Sequence, residues 1–291
     1  MLADESRNGL LSRALLGVCS NAHSAKDKGC AMSDRWVKSV IVGMGLALAS
    51  AAAADEIRIR ADPWLPYSGG SEMRPAGYMV EMAEAIAKAN GHTIEYRTLP
   101  WANALDVVRA GSADCVVGAY KSDAEGFEFP VGGWGMSGNI FWGLAETTWR
   151  YEGPASLEGI RIGVLEEYSY GEDLDAYIKQ HGGDSARMEV VPAVGRGIVR
   201  LMARLIGKRI VTFIEDKNVL AYAVEQAKMD PTRIISLGQA GELEPVYIAC
   251  TPADPRGRKY ADMFHQGTAE LRKSGKLKQI LDTYNLKDWE S

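Results

Sequence analysis

The stretch GYMVEMAEAIAKANGHTIEYRTLPWANALDVVRAGSADCVVGAYKSDAE, from Gly77 to Glu125, decides the fold of this chain. Its first part has apolar residues at helical spacing, and Asn90-Gly91 supplies a left-handed stop. The pattern then predicts, in order, a strand over 93–99, a helix over 101–110 that ends at Gly111, and a strand over 114–120. Strands that alternate with helices of this length predict a mostly parallel sheet covered by helices on both faces.

The same alternation extends in both directions from this stretch. Glu56–Ala61 alternates as an earlier strand, and Ile140–Leu144 reads as a strand that leaves the first unit. A second βαβαβα unit is predicted from strands over 157–165, 188–191 and 210–214 and helices over 168–180, 198–206 and 216–228. Asp216 is the predicted N-cap of the last of these helices. Ile234–Leu237 and Val246–Ala249 are predicted as two strands that return the chain to the first unit. Two crossings between two α/β units predict a hinge and a cleft.

The opening stretch resembles the first lobe of the bacterial family-three extracellular solute-binding proteins, the periplasmic receptors of ABC importers for amino acids and other small polar solutes. The resemblance is carried by ordered residues: Gly77-Tyr78, Glu81, Ala85-Ile86-Ala87, Trp101, Leu105, Gly111 and Asp114. Residues 260–284 resemble the closing helices of that family. The resemblance implies an α/β, two-lobed, periplasmic-binding-protein-like fold of type II, with each lobe a mostly parallel sheet flanked by helices and two crossover strands as the hinge. Lobe 1 would comprise 55–145 and 246–291, and lobe 2 would comprise 146–245.

The start of the chain has the pattern of an export signal. After Met32, Arg35 and Lys38 precede an apolar run of about ten residues and then a run of alanines, which is typical of a Sec signal peptide over 32–54. A retained membrane anchor is the alternative, but the run is shorter than the roughly twenty residues that span a bilayer. Residues 1–31 have no clear pattern and are interpreted as an over-extended start. The expected location is therefore the periplasm.

Composition limits the classes of partner. The 291 residues are 46% hydrophobic, enough for a substantial core, and the formal net charge of −5 without a basic block argues against nucleic acid. The four histidines show no metal-ligand spacing, so we expect no metal and no cofactor. After processing, Cys115 and Cys250 would remain; they could pair in an oxidising compartment, although buried free thiols in strands are the commoner outcome.

Candidate ligand-binding residues in the first lobe lie in the loops that follow its strands. The resemblance assigns pocket positions to Trp64, Tyr67, Trp101 and Tyr120, whose rings give large and rigid contact areas. Packing roles for Trp64 and Trp101 are the alternative. Lys121 falls where the family usually has a small hydroxyl residue, and its ammonium could bind an anionic ligand or remain in solvent.

One position departs from the amino-acid-binding members of that family. Those members hold the ligand carboxylate with an arginine from a Thr-x-x-Arg pattern, and the arginine position is Gly126 here, with Asp123 near the threonine. An ordinary α-amino acid is therefore in doubt as the ligand.

In the second lobe, Tyr168, Ser169 and Tyr170 stand where the family has a Gly-Thr-Thr anion loop at a helix start. The tyrosines could instead pack on the surface of that lobe. Glu215 matches the acidic residue that holds the ligand amine, so that with several rings nearby a cationic or aromatic solute is as credible as an amino acid.

Three functions remain open at this point. The first is a monomeric, non-enzymatic receptor that hands a small polar solute to an ABC permease in the inner membrane. The second is an enzyme on the same scaffold, of the cyclohexadienyl dehydratase kind, although no motif forms a nucleophile–base pair. The third is a sensory binding protein that acts through a separate membrane partner.

Overall fold

The computed structural model describes residues 54–193 and 196–290. The predicted upstream extension over 1–31 and the predicted signal peptide over 32–54, except for Ala54, lie outside the described residues.

Within the described ranges, eight strands form one mixed sheet in the order β2-β1-β3-β8-β4-β7-β5-β6. The strands are β1 Glu56–Ala61, β2 Thr93–Thr98, β3 Cys115–Ala119, β4 Gly135–Leu144, β5 Ile162–Leu165, β6 Met188–Val191, β7 Thr212–Glu215 and β8 Ile234–Cys250. β1 pairs in parallel with β2 and β3, and β5 pairs in parallel with β6 and β7. The two central strands, β4 and β8, are antiparallel to each other and to their outer neighbours. We call β2, β1 and β3 the first half of the sheet, and β7, β5 and β6 the second half.

Helices connect the parallel strands, because a parallel pair needs a crossover connection. The helices described are α1 Tyr78–Ala89, α2 Trp101–Arg109, α3 Glu172–His181, α4 Gly197–Ile206, α5 Lys217–Gln226, α6 Arg256–Lys273 and α7 Lys276–Asp282, with short 3-10 turns at Pro154–Leu157 and Pro231–Arg233. No helix among the described residues combines the length and the apolar character needed to cross a membrane. The helices and strands predicted between Gly77 and Glu125 are confirmed to within one or two residues.

The two central strands differ from the prediction. β4 begins at Gly135 instead of Ile140, and the predicted strands 234–237 and 246–249 are one strand. The intervening residues continue the ladder with β4, where Gln239 lies opposite Ile140 and Glu244 opposite Ser137. Cross-strand pairing therefore overrides the weak strand propensity of this glycine-containing segment.

The first residue of β4, Gly135, lies where the backbone and a side chain approach each other closely. A Cβ atom at this position would lie 2.3 Å from the Tyr78 hydroxyl oxygen, and that hydroxyl donates to the carbonyl oxygen of Trp134 at 2.9 Å. A glycine inside a strand often marks such a close approach.

The apolar core is divided between the two ends of the sheet. One part surrounds α1, β1 and α6 and includes Ile57, Met82 and Phe264. Another part lies in the second half, where Leu201 and Phe213 are fully buried.

The two described cysteines form a disulfide. The antiparallel register of β3 and β8 sets Cys115 directly opposite Cys250, and their sulfur atoms are bonded. The expectation of free thiols is therefore wrong, because local patterns do not show the register that pairs Cys115 with Cys250, which is 135 residues away in the chain.

We expect this disulfide to stabilise the protein. Removing a bond that closes a loop of this length costs about 2–5 kcal/mol of unfolding free energy. The double variant Cys115→Ala with Cys250→Ala should melt at a lower temperature than the wild type in a thermal denaturation experiment. A reducing agent should lower the wild-type midpoint by a comparable amount and leave the double variant unchanged; an equal response of both proteins would contradict this role.

Candidate functional site

The candidate site is a cavity at the carboxyl ends of strands from both halves of the sheet. Asp62 follows β1, Tyr120 follows β3 and Glu215 ends β7, and all three line a cavity of about 50 Å³. Ligands of open α/β sheets bind at this edge, because loops and helix starts meet there.

Seven of the nine residues predicted to bind ligand lie in the wall of this cavity. They are Trp64, Trp101, Tyr120, Tyr168, Ser169, Tyr170 and Glu215. The sheet order brings together chain segments that are distant in sequence: Trp64 and Glu215 are 151 residues apart. Their role in binding remains a prediction.

The other two predicted residues lie outside the cavity wall. Tyr67 is fully buried in the core, where its hydroxyl donates to Asp216 Oδ1 at 3.1 Å and accepts from Asn218 Nδ2 at 2.9 Å. Lys121 is exposed, and its ammonium lies 5.3 Å from the centroid of the Tyr247 ring. A cation over an aromatic face is attracted to it, so this lysine has a partner away from the cavity. Both residues therefore lie outside this cavity wall, and their role in ligand binding stays a prediction.

Trp64 is held rigidly in the wall. Its ring stacks on Tyr67 with centroids 4.1 Å apart, and its other neighbour is Gly118, where an added Cβ would lie 3.4 Å from the indole. Gly118 has a φ of +92°, a conformation that favours glycine. The indole Nε1 donates to Glu215 Oε1 at 3.3 Å, so Trp64 also joins the two halves of the sheet.

Glu215 is 4% exposed, and the pKa of its carboxyl group is unusually high for a glutamate. Its Oε1 also accepts from the backbone N–H of Asp216 at 2.8 Å. Burial, which disfavours the charged carboxylate, is the largest influence and raises the pKa of Glu215 to about 8, and the nearby Asp216 and Asp62 add to the rise.

Asp216 is confirmed as the N-cap of α5. Its Oδ1 accepts from the backbone N–H groups of Asn218 at 2.7 Å and Val219 at 3.1 Å, in addition to the Tyr67 hydroxyl. The side chain also lines the cavity and is 3% exposed, and its Oδ2 has no hydrogen-bond partner within residues 54–193 and 196–290. Burial raises the pKa of this carboxyl.

Asp62 and Tyr168 form a second connection between the halves. The Tyr168 hydroxyl donates to Asp62 Oδ2. Asp62 is 9% exposed, and burial raises its pKa to about 6 although the hydrogen bond from Tyr168 acts in the opposite direction.

The loop after β3 carries a further carboxyl group but no cation in the wall. Asp123 lines the cavity and accepts from the backbone N–H of Tyr120 at 3.2 Å, and burial raises its pKa to about 6. Gly126 is exposed with a φ of +82° and has no side chain to offer.

The predicted anion loop at the start of α3 is occupied by the protein itself. Asp175 accepts from the Ser169 hydroxyl at 2.6 Å and from the backbone N–H of Tyr170 at 2.7 Å. The Tyr170 hydroxyl in turn accepts from the backbone N–H of Leu165 at 2.8 Å. Two of the donors at this loop, the Ser169 hydroxyl and the Tyr170 N–H, therefore already have an internal carboxylate as acceptor.

Sequence reasoning missed several residues of the wall. Ser137 and Asn139 belong to the part of β4 that was not predicted as a strand, and the Tyr120 hydroxyl donates to Ser137 Oγ at 2.8 Å. Asp62 and Asp123 were not singled out as candidates, although their positions directly after or close behind parallel strands were a usable signal.

The finished wall combines four carboxyl groups with aromatic rings. The carboxyl groups belong to Asp62, Asp123, Glu215 and Asp216, and no lysine, arginine or histidine is among the described residues that line the cavity. This composition suits the binding of a small polar guest.

Comparison with known proteins supports the same interpretation. Residues 57–125 match the sequence model of the bacterial extracellular solute-binding proteins, family 3, which confirms the resemblance stated above. No curated protein matches this chain significantly.

Solved structures share the fold at low sequence identity. A histidine kinase sensor domain with similarity to periplasmic binding proteins is 17% identical, with a TM-score of 0.61, and the match covers 79% of this chain and 95% of that one. The amino acid ABC transporter substrate-binding protein AbpA from Streptococcus pneumoniae, bound to L-arginine, is 16% identical, with a TM-score of 0.59 and coverage of 79% and 94%. An ancestral amino acid-binding protein, a precursor of cyclohexadienyl dehydratase, is 14% identical, with a TM-score of 0.57 and coverage of 79% and 94%. The α/β fold is therefore that of type II periplasmic binding proteins.

The pKa of Glu215 makes stability depend on pH. Because its pKa of about 8 in the folded protein exceeds the ordinary 4.5, the stabilisation is present at low pH and is lost as the pH rises through about 8. Glu215→Gln keeps an acceptor oxygen and cannot ionise. We expect the melting temperature of this variant, relative to the wild type, to increase by several degrees between about pH 5 and about pH 9.

The control for this measurement is Glu225→Gln, on an exposed position of α5. Its melting temperature should follow that of the wild type across the same range. A constant difference between Glu215→Gln and the wild type would show that Glu215 ionises normally in the folded protein.

Proposed function

We propose that this chain is a periplasmic solute-binding receptor that captures a small polar solute, such as an amino acid or a related compound, and delivers it to an ABC permease. The observation that carries the proposal is the cavity itself, whose wall joins Trp64 of the first half with Glu215 of the second. The family match over 57–125 and the solute-binding structural neighbours support it.

The proposal includes two lobes, 55–145 with 246–291 and 146–245, that close on the solute. Three hydrogen bonds support a closed arrangement, because each joins a residue after β1 to a residue beyond β4. They are Tyr168 to Asp62, Trp64 to Glu215, and Tyr67 to Asp216. A solute could enter only when these bonds open, and β4 with β8 would serve as the hinge.

Sensing is the second candidate function. It is supported by the likeness to the histidine kinase sensor domain, because the same closing motion can signal to a membrane partner. Receptor and sensor share the capture step, so both predict binding in this cavity.

The first test is a thermal-shift screen of the purified protein against amino acids, polyamines, dicarboxylates and aromatic acids. At least one compound should raise the melting temperature, because a ligand that binds only the folded state stabilises it. For that compound, Trp64→Ala should weaken binding at least tenfold, which is about 1.4 kcal/mol, because both the ring contact and the Nε1 hydrogen bond to Glu215 are lost. The control Trp149→Ala should bind normally, since the Trp149 indole donates to Ser156 away from the cavity; equal losses in both variants would contradict the site.

Binding without chemistry separates the receptor from an enzyme. The stabilising compound should be recovered unchanged, by mass spectrometry, after prolonged incubation with the protein. Conversion to a product would overturn the receptor proposal and favour the dehydratase-like alternative.

A further inference from the structure

The cavity wall carries several carboxyl groups and no basic side chain among the described residues. Its ionisable side chains other than tyrosines are Asp62, Asp123, Glu215 and Asp216, and none of these four takes part in an ion pair among the described residues. Three of them are less than one-tenth exposed. Carboxyl groups so placed are costly to ionise unless a positive charge joins them.

One carboxylate oxygen in this wall accepts no hydrogen bond from the part of the chain that the structure describes. Asp216 Oδ1 already accepts from two backbone N–H groups and from the Tyr67 hydroxyl, whereas Oδ2 is buried without a hydrogen bond that meets ordinary geometry among the described residues. Ser137, also in the wall, is the neighbouring side chain that favours the charged form of this carboxyl group. Because the side chain lines the cavity, Oδ2 is the oxygen left for a donor that enters it. A buried acceptor without a partner costs free energy, and a bound N–H donor would remove that cost.

The resemblance places carboxylate-binding groups at two positions, and at these positions this chain offers a ligand carboxylate no arginine and no free side-chain donor. Gly126 stands at the position of the family's arginine and is exposed. Asp175 takes the Tyr170 N–H and the Ser169 hydroxyl at the start of α3. A negative group placed between these carboxyl groups would therefore meet neither an arginine nor the Ser169 and Tyr170 donors.

The rings of the wall favour a cation as well. Trp64, Trp101, Tyr120, Tyr168 and Tyr170 surround the carboxyl groups. Aromatic faces attract ammonium and guanidinium groups, and more strongly where water is excluded.

A neighbouring cavity has the same character. It has a volume of about 120 Å³ and shares Asp62, Trp101 and Tyr168 with the first. Its other ionisable wall residues are Glu166 and Glu167. One water needs roughly 10–15 Å³ of cavity volume, so the first cavity holds only a few non-hydrogen atoms. A longer molecule would therefore continue into this second, acidic cavity.

We infer that the solute is an organic amine or guanidine without a carboxylate, with its cationic group bound between Glu215, Asp216 Oδ2 and the rings. This inference rests on the proposed function and specifies the class of ligand. It predicts that a decarboxylated amine binds more tightly than the amino acid from which it derives.

The experiment compares amino acids with their decarboxylated forms by calorimetry on the wild-type protein. The pairs are ornithine and putrescine, lysine and cadaverine, and arginine and agmatine. At least one amine should bind at least tenfold more tightly than its parent amino acid. The neutral diol 1,5-pentanediol, which matches cadaverine in length, should not bind.

Asp216→Asn tests the site itself. Asparagine keeps an acceptor for the α5 cap and removes the charge, so we expect the folded protein to melt normally and the amine to bind at least tenfold more weakly. The control is Asp230→Asn, another capping aspartate, which is exposed and accepts from Thr232 N–H; it should bind like the wild type.

The outcomes separate the inference from the proposed function. Tighter binding of an amino acid than of its amine, equal binding of the diol, or unchanged amine affinity in Asp216→Asn would overturn the inference and leave the receptor standing. A preference for amino acids would point to the uncapped start of α2 beside Trp101 as the carboxylate position. If neither these compounds nor any in the thermal-shift screen binds, the proposed function itself fails.

Discussion

Asp216 connects the secondary structure, the packing and the site. One of its oxygens caps α5 and accepts from the Tyr67 hydroxyl of the first half, while the other remains buried beside the cavity. The cap positions the carboxyl group, the Tyr67 contact ties the end of β7 to the loop after β1, and the second oxygen stays available. A single aspartate therefore depends on the whole sheet order for its position, because Tyr67 and Asp216 are 149 residues apart.

The elements within the Gly77–Glu125 stretch were predictable because their information is local. Helical spacing ends at Asn90-Gly91, and the short apolar strand at Cys115–Ala119 needs no distant partner to be recognised. The start of β4 was not predictable, because Gly135 is there for the close approach of Tyr78, which only the tertiary structure shows. The same holds for the disulfide, which depends on the register of β3 against β8.

The residues of the candidate site also divide into those that a local pattern indicates and those whose environment depends on the tertiary structure. Trp64 and Glu215 could be found because each follows or ends a strand at the expected edge. A residue's position after a strand does not say whether its side chain enters the core, the cavity or solvent, and Tyr67 and Lys121 lie outside the cavity wall. Tyr67 meets Asp216 in the interior, and Lys121 meets Tyr247 outside. Those partners come from distant parts of the chain, so no local pattern distinguishes them from true wall residues.

The groups that form the wall also hold the two halves of the sheet together. Trp64 donates to Glu215 across the cleft, and Tyr168 donates to Asp62. Burial raises the pKa of both acceptors, so that each carboxyl group is more costly to ionise in this structure than in water. Opening the cleft would rehydrate these groups and relieve that cost, whereas a positively charged guest would relieve it without opening. A cation in the cavity would therefore favour closure through the same carboxyl groups that bind it, because its free energy of interaction differs between the open and the closed states.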